Sequence, residues 1–182
     1  PENRIWYAFV FFFLLFKTDR EKGQKTMFGF FKKKIDPAVY APVKGKCIDI
    51  TEVNDEGFSS KIMGDGVAVI PEESVIKAPA DGKLTMIFET GHAFGMEADN
   101  GLELLLHIGI DTVNEKGNGF KILKKSGDAV KKGTPVVELE LETLKEKYDM
   151  TTMVIVTNEK GVKKPALGKT VDENTAILEG TE

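Results

Sequence analysis

His92 and His107 are the only imidazoles in a chain of 182 residues, and both lie in one stretch, Thr90-Gly-His-Ala-Phe-Gly-Met-Glu-Ala-Asp-Asn-Gly-Leu-Glu-Leu-Leu-Leu-His-Ile-Gly-Ile-Asp111. Two imidazoles can ligate a metal. Structural zinc normally takes four protein ligands and catalytic zinc three. The chain has a single cysteine and no third histidine, and Asp111 alone leaves such a site incomplete, so no intrinsic metal is expected. Two imidazoles can also handle a phosphoryl group. Neutral histidine keeps a lone pair for attack, with a reference pKa of ~6.5. A second imidazole can donate a hydrogen bond to the phosphoryl oxygens, where the charge sits. Thr90 is placed to orient a ring by hydrogen bonding.

The elements that position these groups follow from the pattern. Asn100-Gly101 predicts a two-residue type I′ hairpin turn, since both central residues of that turn need φ > 0. With that tip, Asp99 faces Leu102, Phe94 faces His107, His92 faces Gly109 and Thr90 faces Asp111. Alternate residues of a strand share a face. Thr90, His92, Phe94, His107 and Asp111 are then expected on one solvent-facing side, with the histidines as diagonal neighbours roughly 7–8 Å apart at the backbone. Gly109 would leave room for an imidazole to lean across. Leu102, Leu104, Leu106, Ile108 and Ile110, against Gly91, Ala93 and Gly95, form the expected core face. A one-residue slip would exchange the two sides.

The remainder of the chain reads as short strands. Ala41-Pro-Val-Lys-Gly-Lys46 recurs as Ala78-Pro-Ala-Asp-Gly-Lys83, each copy leading into a β-prone run. Gly64-Asp65-Gly66 and Ser126-Gly127-Asp128 precede the predicted strands Val67–Ile70 and Pro135–Leu139. One short helix is expected near Leu141–Tyr148, and another strand or two within Pro165–Leu178. The fold class predicted is all-β: a β-sandwich or barrel-sandwich of antiparallel strands with a duplicated motif and little helix.

Composition is that of a globular protein, 41% hydrophobic and 30% charged, with a net charge of −4. No basic patch with interleaved aromatics is present, so nucleic acid is not an expected partner. A lone cysteine, Cys47, precludes an internal disulfide and fits a reducing, cytoplasmic setting. It lies in a predicted strand and is expected to be structural.

Residues 1–39 are set apart as a leader, and 40–180 as the functional domain. Trp6 to Phe16 is too short an apolar run to span a bilayer, and no small-residue cleavage site follows it. Residues 1–26 are expected to be disordered upstream or artificial sequence, with Met27 as a natural start. They carry five basic and three acidic side chains, leaving −6 for the rest of a chain of net −4. Phe28, Phe30 and Phe31 beside Lys32, Lys33 and Lys34 make segment 27–35 a candidate for weak attachment to an anionic membrane surface.

The motifs Lys-Ile-Met-Gly-Asp-Gly (61–66), Ala-Pro-Ala-Asp-Gly (78–82), Phe-Glu-Thr-Gly-His-Ala-Phe (88–94) and His-Ile-Gly-Ile-Asp-Thr-Val (107–113) stand in this order, with Gly117-Asn-Gly-Phe120 and Ser126-Gly-Asp-Ala-Val130 after them. From about Tyr40 to Leu178 the chain resembles the glucose-class IIA component of the phosphoenolpyruvate-dependent sugar phosphotransferase system. The resemblance implies a β-sandwich of duplicated hybrid motifs. It implies that His107 accepts phosphate from the histidine phosphocarrier protein and passes it to a cysteine of a IIB component. His92 would support the phosphoryl group, with Thr90 in its hydrogen-bond network. Asp111 and Asp55 would meet an arginine of a partner, and Phe58, Ile62, Met63, Phe88 and Phe94 would form an apolar docking ring. No cofactor beyond the covalent phosphoryl group is implied. Zinc would be held by His92 and His107 only where a partner completes the site. A zinc metallopeptidase would need a further histidine. A biotinyl or lipoyl carrier would need a lysine at the hairpin tip, where Asn100-Gly101 stands.

Overall fold

A computed structural model describes residues 35–158 and 160–181, which belong to one unit, Ile35–Glu182. The expectations for residues 1–26 and for the basic aromatic stretch up to Lys34 lie outside the described residues. In chain order the strands are β1 (Ala38–Tyr40), β2 (Gly45–Asp49), β3 (Asp65–Pro71), β4 (Val75–Lys77), β5 (Gly82–Ile87), β6 (Ala93–Ala98) and β7 (Glu103–Ile108). They continue with β8 (Phe120–Ile122), β9 (Ala129–Val130), β10 (Pro135–Leu139), β11 (Thr152–Val156), β12 (Val162–Lys163), β13 (Thr170–Val171) and β14 (Ala176–Gly180). Two short helices, α1 (Glu56–Ser59) and α2 (Leu141–Lys145), and two 3₁₀ turns, Ile50–Glu52 and Thr112–Glu115, complete the elements of the described residues. Only α2 had a clear signal in the sequence.

The main sheet has the order β13-β2-β3-β11-β7-β6-β5-β9, antiparallel throughout. Two three-stranded sheets, β1-β14-β12 and β4-β10-β8, accompany it. The repeated Ala-Pro motif explains the palindromic order. Tyr40, just before the first copy, donates its N–H to Pro79 of the second. Lys77, just before the second copy, donates to Pro42 of the first, both at 2.8 Å. Gly45 and Gly82 then open β2 and β5. A Cβ on either would lie 1.9 or 2.2 Å from a cross-strand carbonyl oxygen, so both positions admit glycine alone. Cys47 exchanges backbone hydrogen bonds with Gly168 and Lys169 as Leu84 does with Gly127 and Asp128. The duplicated architecture expected from the sequence is therefore present, hydrogen bond for hydrogen bond.

The hairpin register differs from the expectation by one residue. Ala93 pairs with His107 and Phe94 with Leu106. The turn is the cause. Gly101 has φ +79 and donates its N–H to Ala98 at 2.8 Å, while Ala98 donates to Leu102 at 2.9 Å. Asp99, Asn100 and Gly101 thus form a three-residue loop with one left-handed residue, not a two-residue turn with two. The Asn100 amide is engaged elsewhere: it accepts from Leu102 N–H and donates to the carbonyls of Asp36 and Pro37. With this register Phe94, Met96 and Ala98 join Leu104, Leu106 and Ile108 in the main core. Three apolar side chains turn inward, where the other register buries only Gly and Ala.

The leucine face is inward as expected, and His107 is on the opposite face. That face is not open. His107 occupies a cross-strand row with Ala93, Met153, Ala68 and Ile48. Much of the row is covered, and Ile50, Val53 and Phe58 of the stretch joining β2 to β3 are buried too. Among the described residues no helix is long and apolar enough to cross a membrane.

Candidate functional site

His107 lies near the end of β7, where the chain leaves the sheet. Its Nδ1 donates to the Gly109 carbonyl at 2.9 Å. A carbonyl only accepts, so Nδ1 carries the proton of the neutral ring and Nε2 keeps its lone pair. The bond requires a tight turn at Gly109, which has φ +74. A Cβ there would lie 2.5 Å from the Thr112 methyl. Thr112 is fully buried and donates its hydroxyl to the Ile108 carbonyl, bracing the same turn. Gly109 does not face His92, contrary to the sequence expectation; His92 accepts through its backbone carbonyl from Ile108 N–H at 2.8 Å.

His92 stands just before β6, in a bend entered through Gly91 at φ +69. A regular strand would send it to the core side with Phe94. The left-handed Gly91 frees it from that alternation. Thr90 Oγ1 is hydrogen-bonded to His92 Nδ1. The Gly91 α-carbon is hemmed by Phe120 and Ile122: a Cβ there would meet Phe120 Cβ at 3.0 Å and Ile122 Cγ1 at 3.2 Å. These two residues were not singled out from the sequence, although Phe120 ends the Gly-Asn-Gly-Phe motif.

The two imidazoles meet edge to face, with centroids 5.1 Å apart and planes at 77°. Phe58 packs on His107 with centroids 4.9 Å apart, and Phe88 on His92 at 5.1 Å. Four rings thus run in a row: Phe58, His107, His92, Phe88. His107 is 8% exposed and His92 2%. Burial pulls the His92 pKa down to about 4. Burial and the neighbouring His92 pull His107 down to about 3, with the Gly109 carbonyl acting weakly the other way. Both rings are neutral at pH 7.

The other expected residues divide. Ile62 is 66% exposed, Met63 and Phe88 are half-buried, and Phe58 is buried against His107. Phe94, expected in the docking ring, is fully buried in the core, because the register turns it inward. Asp55 is the N-cap of α1, where its carboxylate accepts from Phe58 N–H at 3.2 Å. It fixes the residue that packs on His107. Asp111 is exposed and left-handed at φ 59, ahead of the Thr112–Glu115 turn, with no capping bond from its side chain. Cys47 is buried and its thiol is pushed up to about 11, first by burial, so it is held as the unreactive neutral form.

Among the described residues no three His, Cys, Asp or Glu side chains converge as a metal site. The donor set within this chain is two imidazoles, half of a tetrahedral zinc shell.

An antiparallel sandwich of paired Ala-Pro motifs, with two neutral imidazoles in edge-to-face contact of which one has a fixed tautomer, defines a histidine-pair domain on a duplicated β-scaffold. The profile of the phosphoenolpyruvate-dependent sugar phosphotransferase system family, EIIA 1, matches residues 37–162, and the chain belongs to that family. It is 43% identical over 142 residues to the glucose-specific EIIA component of Halalkalibacterium halodurans, covering 74% of this chain and 82% of that protein. It is 48% identical over 124 residues to the glucose-specific EIICBA component of Staphylococcus carnosus, covering 68% of this chain but 18% of that much longer relative. Among solved structures it is similar to the glucose permease IIA from Mycoplasma capricolum, with a TM-score of 0.72 and 33% identity over 83% of this chain and 98% of that one.

Proposed function

We propose that the chain is a cytoplasmic phosphoryl carrier of a sugar phosphotransferase system, with His107 Nε2 as the acceptor atom. The observation that carries the reading is the pairing of a tautomer-fixed His107 with a second imidazole at 5.1 Å. The donor is a phosphohistidine of the histidine phosphocarrier protein. Its P–N bond breaks as the His107 Nε2 lone pair forms a new one in line. The donor imidazole leaves with the electron pair, and His107 keeps its Nδ1 proton on the Gly109 carbonyl. With Thr90 O–H donating to His92 Nδ1, the His92 proton sits on Nε2, ready to donate to a phosphoryl oxygen. The phosphoryl group then passes to a IIB cysteine thiolate, and His107 returns to its neutral form. The curated relatives that carry EIICBA in one chain support a IIB partner.

The recessed rings suit transfer without hydrolysis, because a docked partner need close only a small opening against water. Ile62, Met63 and Phe88 offer apolar contact around it. Asp111, exposed and without a capping bond, is the acidic group offered to a basic partner side chain. Asp55, half-buried at the N-cap of α1, is a second acidic group that supports this reading. Segment 27–35 adds a weak membrane-surface contact to this reading.

The test is incubation with phosphoenolpyruvate, enzyme I and the phosphocarrier protein, followed by mapping of the labelled residue. An acid-labile adduct of ~80 Da on His107, absent in His107→Gln, supports the reading. An adduct that survives His107→Gln refutes it.

A further inference from the structure

The stretch 50–64 that joins β2 to β3 is built of two single-turn elements held by capping and turn hydrogen bonds, with no ladder to either neighbouring strand. The β2–β3 ladder ends at Asp49 and Val67. Beyond it come a 3₁₀ turn of three residues and α1 of four, both far too short to be stable alone. Yet this stretch places Phe58 against His107 and leaves Ile62, four residues further on, exposed. Buried Ile50, Val53 and Phe58 anchor it from within.

Its feet are joined from far away in sequence. Lys164, directly after β12, sets its Nζ 2.7 Å from Asp49 Oδ2 and 2.6 Å from Asp65 Oδ1. Asp49 ends β2 and Asp65 begins β3, so one ammonium bridges the two points where the stretch leaves and re-enters the sheet. Each carboxylate is also tied to its own backbone. Asp49 Oδ1 accepts from Thr51 N–H at 3.0 Å and from the Thr51 hydroxyl at 2.8 Å. Asp65 Oδ1 accepts from Gly66 N–H at 2.8 Å. The Lys164 side chain is 11% exposed, whereas Lys61, which pairs with Asp65 at 3.1 Å, is 40% exposed. The shielded cation is therefore the strong partner, and Lys61 a solvent-screened addition. Without Lys164 the two carboxylates would be left with only the solvent-screened Lys61 beside Asp65 and with unbalanced repulsion between them.

We propose that Lys164 is a positioning residue for phosphoryl transfer: by clamping Asp49 to Asp65 it fixes the 50–64 stretch, which holds Phe58 on His107 and carries the exposed Ile62. The proposal rests on His107 being the phosphoryl acceptor. A merely structural ion pair would lower stability and leave partner recognition and the His107 environment alone. A clamp predicts that both change.

The experiment uses the full chain, wild type and Lys164→Met, labelled from phosphoenolpyruvate through enzyme I and varied phosphocarrier protein. Lys164→Met should raise the KM for the phosphocarrier about five-fold, with the maximal rate changed by less than about two-fold. The His107 ring-proton resonances should move toward those of a Phe58→Leu variant as the stacked ring withdraws. A folded Lys164→Met with unchanged KM and unmoved His107 resonances overturns the inference. Wild-type protein that takes no label on His107 overturns the acceptor reading instead, and the resonances then decide the clamp alone. Should Lys164→Met fail to fold, Asp49→Asn, which frees one foot and leaves Lys164 paired with Asp65, is read by the same two measurements.

Discussion

His107 donates its Nδ1 proton to the carbonyl of Gly109, two residues further along the chain, at 2.9 Å. The strand end therefore holds its own imidazole in one tautomer, through a turn that glycine at position 109 permits. Gly109→Ala places a Cβ 2.5 Å from the Thr112 methyl at a φ of +74. We expect a loss of about 2–3 kcal/mol in thermal or urea unfolding. Phosphate acceptance should slow at least about ten-fold as the ring loses its orientation. In the wild type, NMR of the phosphorylated protein should place phosphorus on Nε2. Phosphorus on Nδ1 would contradict the tautomer assigned here.

Thr90 acts on the second ring. Its hydroxyl is bonded to His92 Nδ1, so Thr90→Val removes one orienting bond and preserves shape. Acceptance on His107 should persist, because its lone pair is set by Gly109. Onward transfer to a IIB cysteine should slow about ten-fold, as the donor to the phosphoryl oxygens loses its fixed direction. Separate single-turnover measurements of loading and unloading check this, and equal slowing of both steps would count against it.

The acidity of the pair gives a prediction with a definite sign. Burial holds His92 at about 4 and His107 at about 3, below the ordinary histidine value. Both rings are therefore neutral from pH 8 down to about 5, and loading of this chain should not fall through pH 6.5 as it would for an exposed histidine acceptor. Stability moves differently. Below about pH 6.5 the unfolded chain binds protons that the folded chain refuses, so stability falls as the pH drops from there toward the folded values. In His92→Gln this acid-side loss should be smaller. Unfolding midpoints from pH 7.5 to 4.5 measure the difference.

Much of this arrangement was legible in the sequence, for identifiable reasons. The Ala-Pro repeat is local and its glycines are obligatory, so the duplicated sandwich could be read directly. The leucine pattern of β7 fixed its inward face. The register escaped by one residue, because Asn100-Gly101 fits two turn types and the three-residue loop is the one that buries Phe94, Met96 and Ala98. That slip put Phe94 on the wrong face. It left the histidine pair intact only because the left-handed Gly91 releases His92 from strand alternation. Phe58 was expected at the site through the family resemblance, whereas its packing on His107 and the pairing of Lys164 with Asp49 and Asp65 had no local sequence signal. Both depend on residues brought together across the fold.

The corrected place of Phe94 separates core from contact surface, and a pair of substitutions tests it. Phe94 is fully buried and packs within the main core, so Phe94→Ala removes a large ring from a closed interior. It should cost about 3–5 kcal/mol in unfolding free energy. Ile62 is 66% exposed and touches no core, so Ile62→Ser should change stability by less than about 0.5 kcal/mol. Its effect should fall on association: a KM for the phosphocarrier raised several-fold, about 1 kcal/mol of binding, with the maximal rate nearly unchanged. Phe94→Leu distinguishes the roles further. It should recover most of the stability and load phosphate with a wild-type KM, because an inward residue has no partner to meet. A raised KM in a stable Phe94→Leu would return Phe94 to the docking surface and with it the two-residue turn.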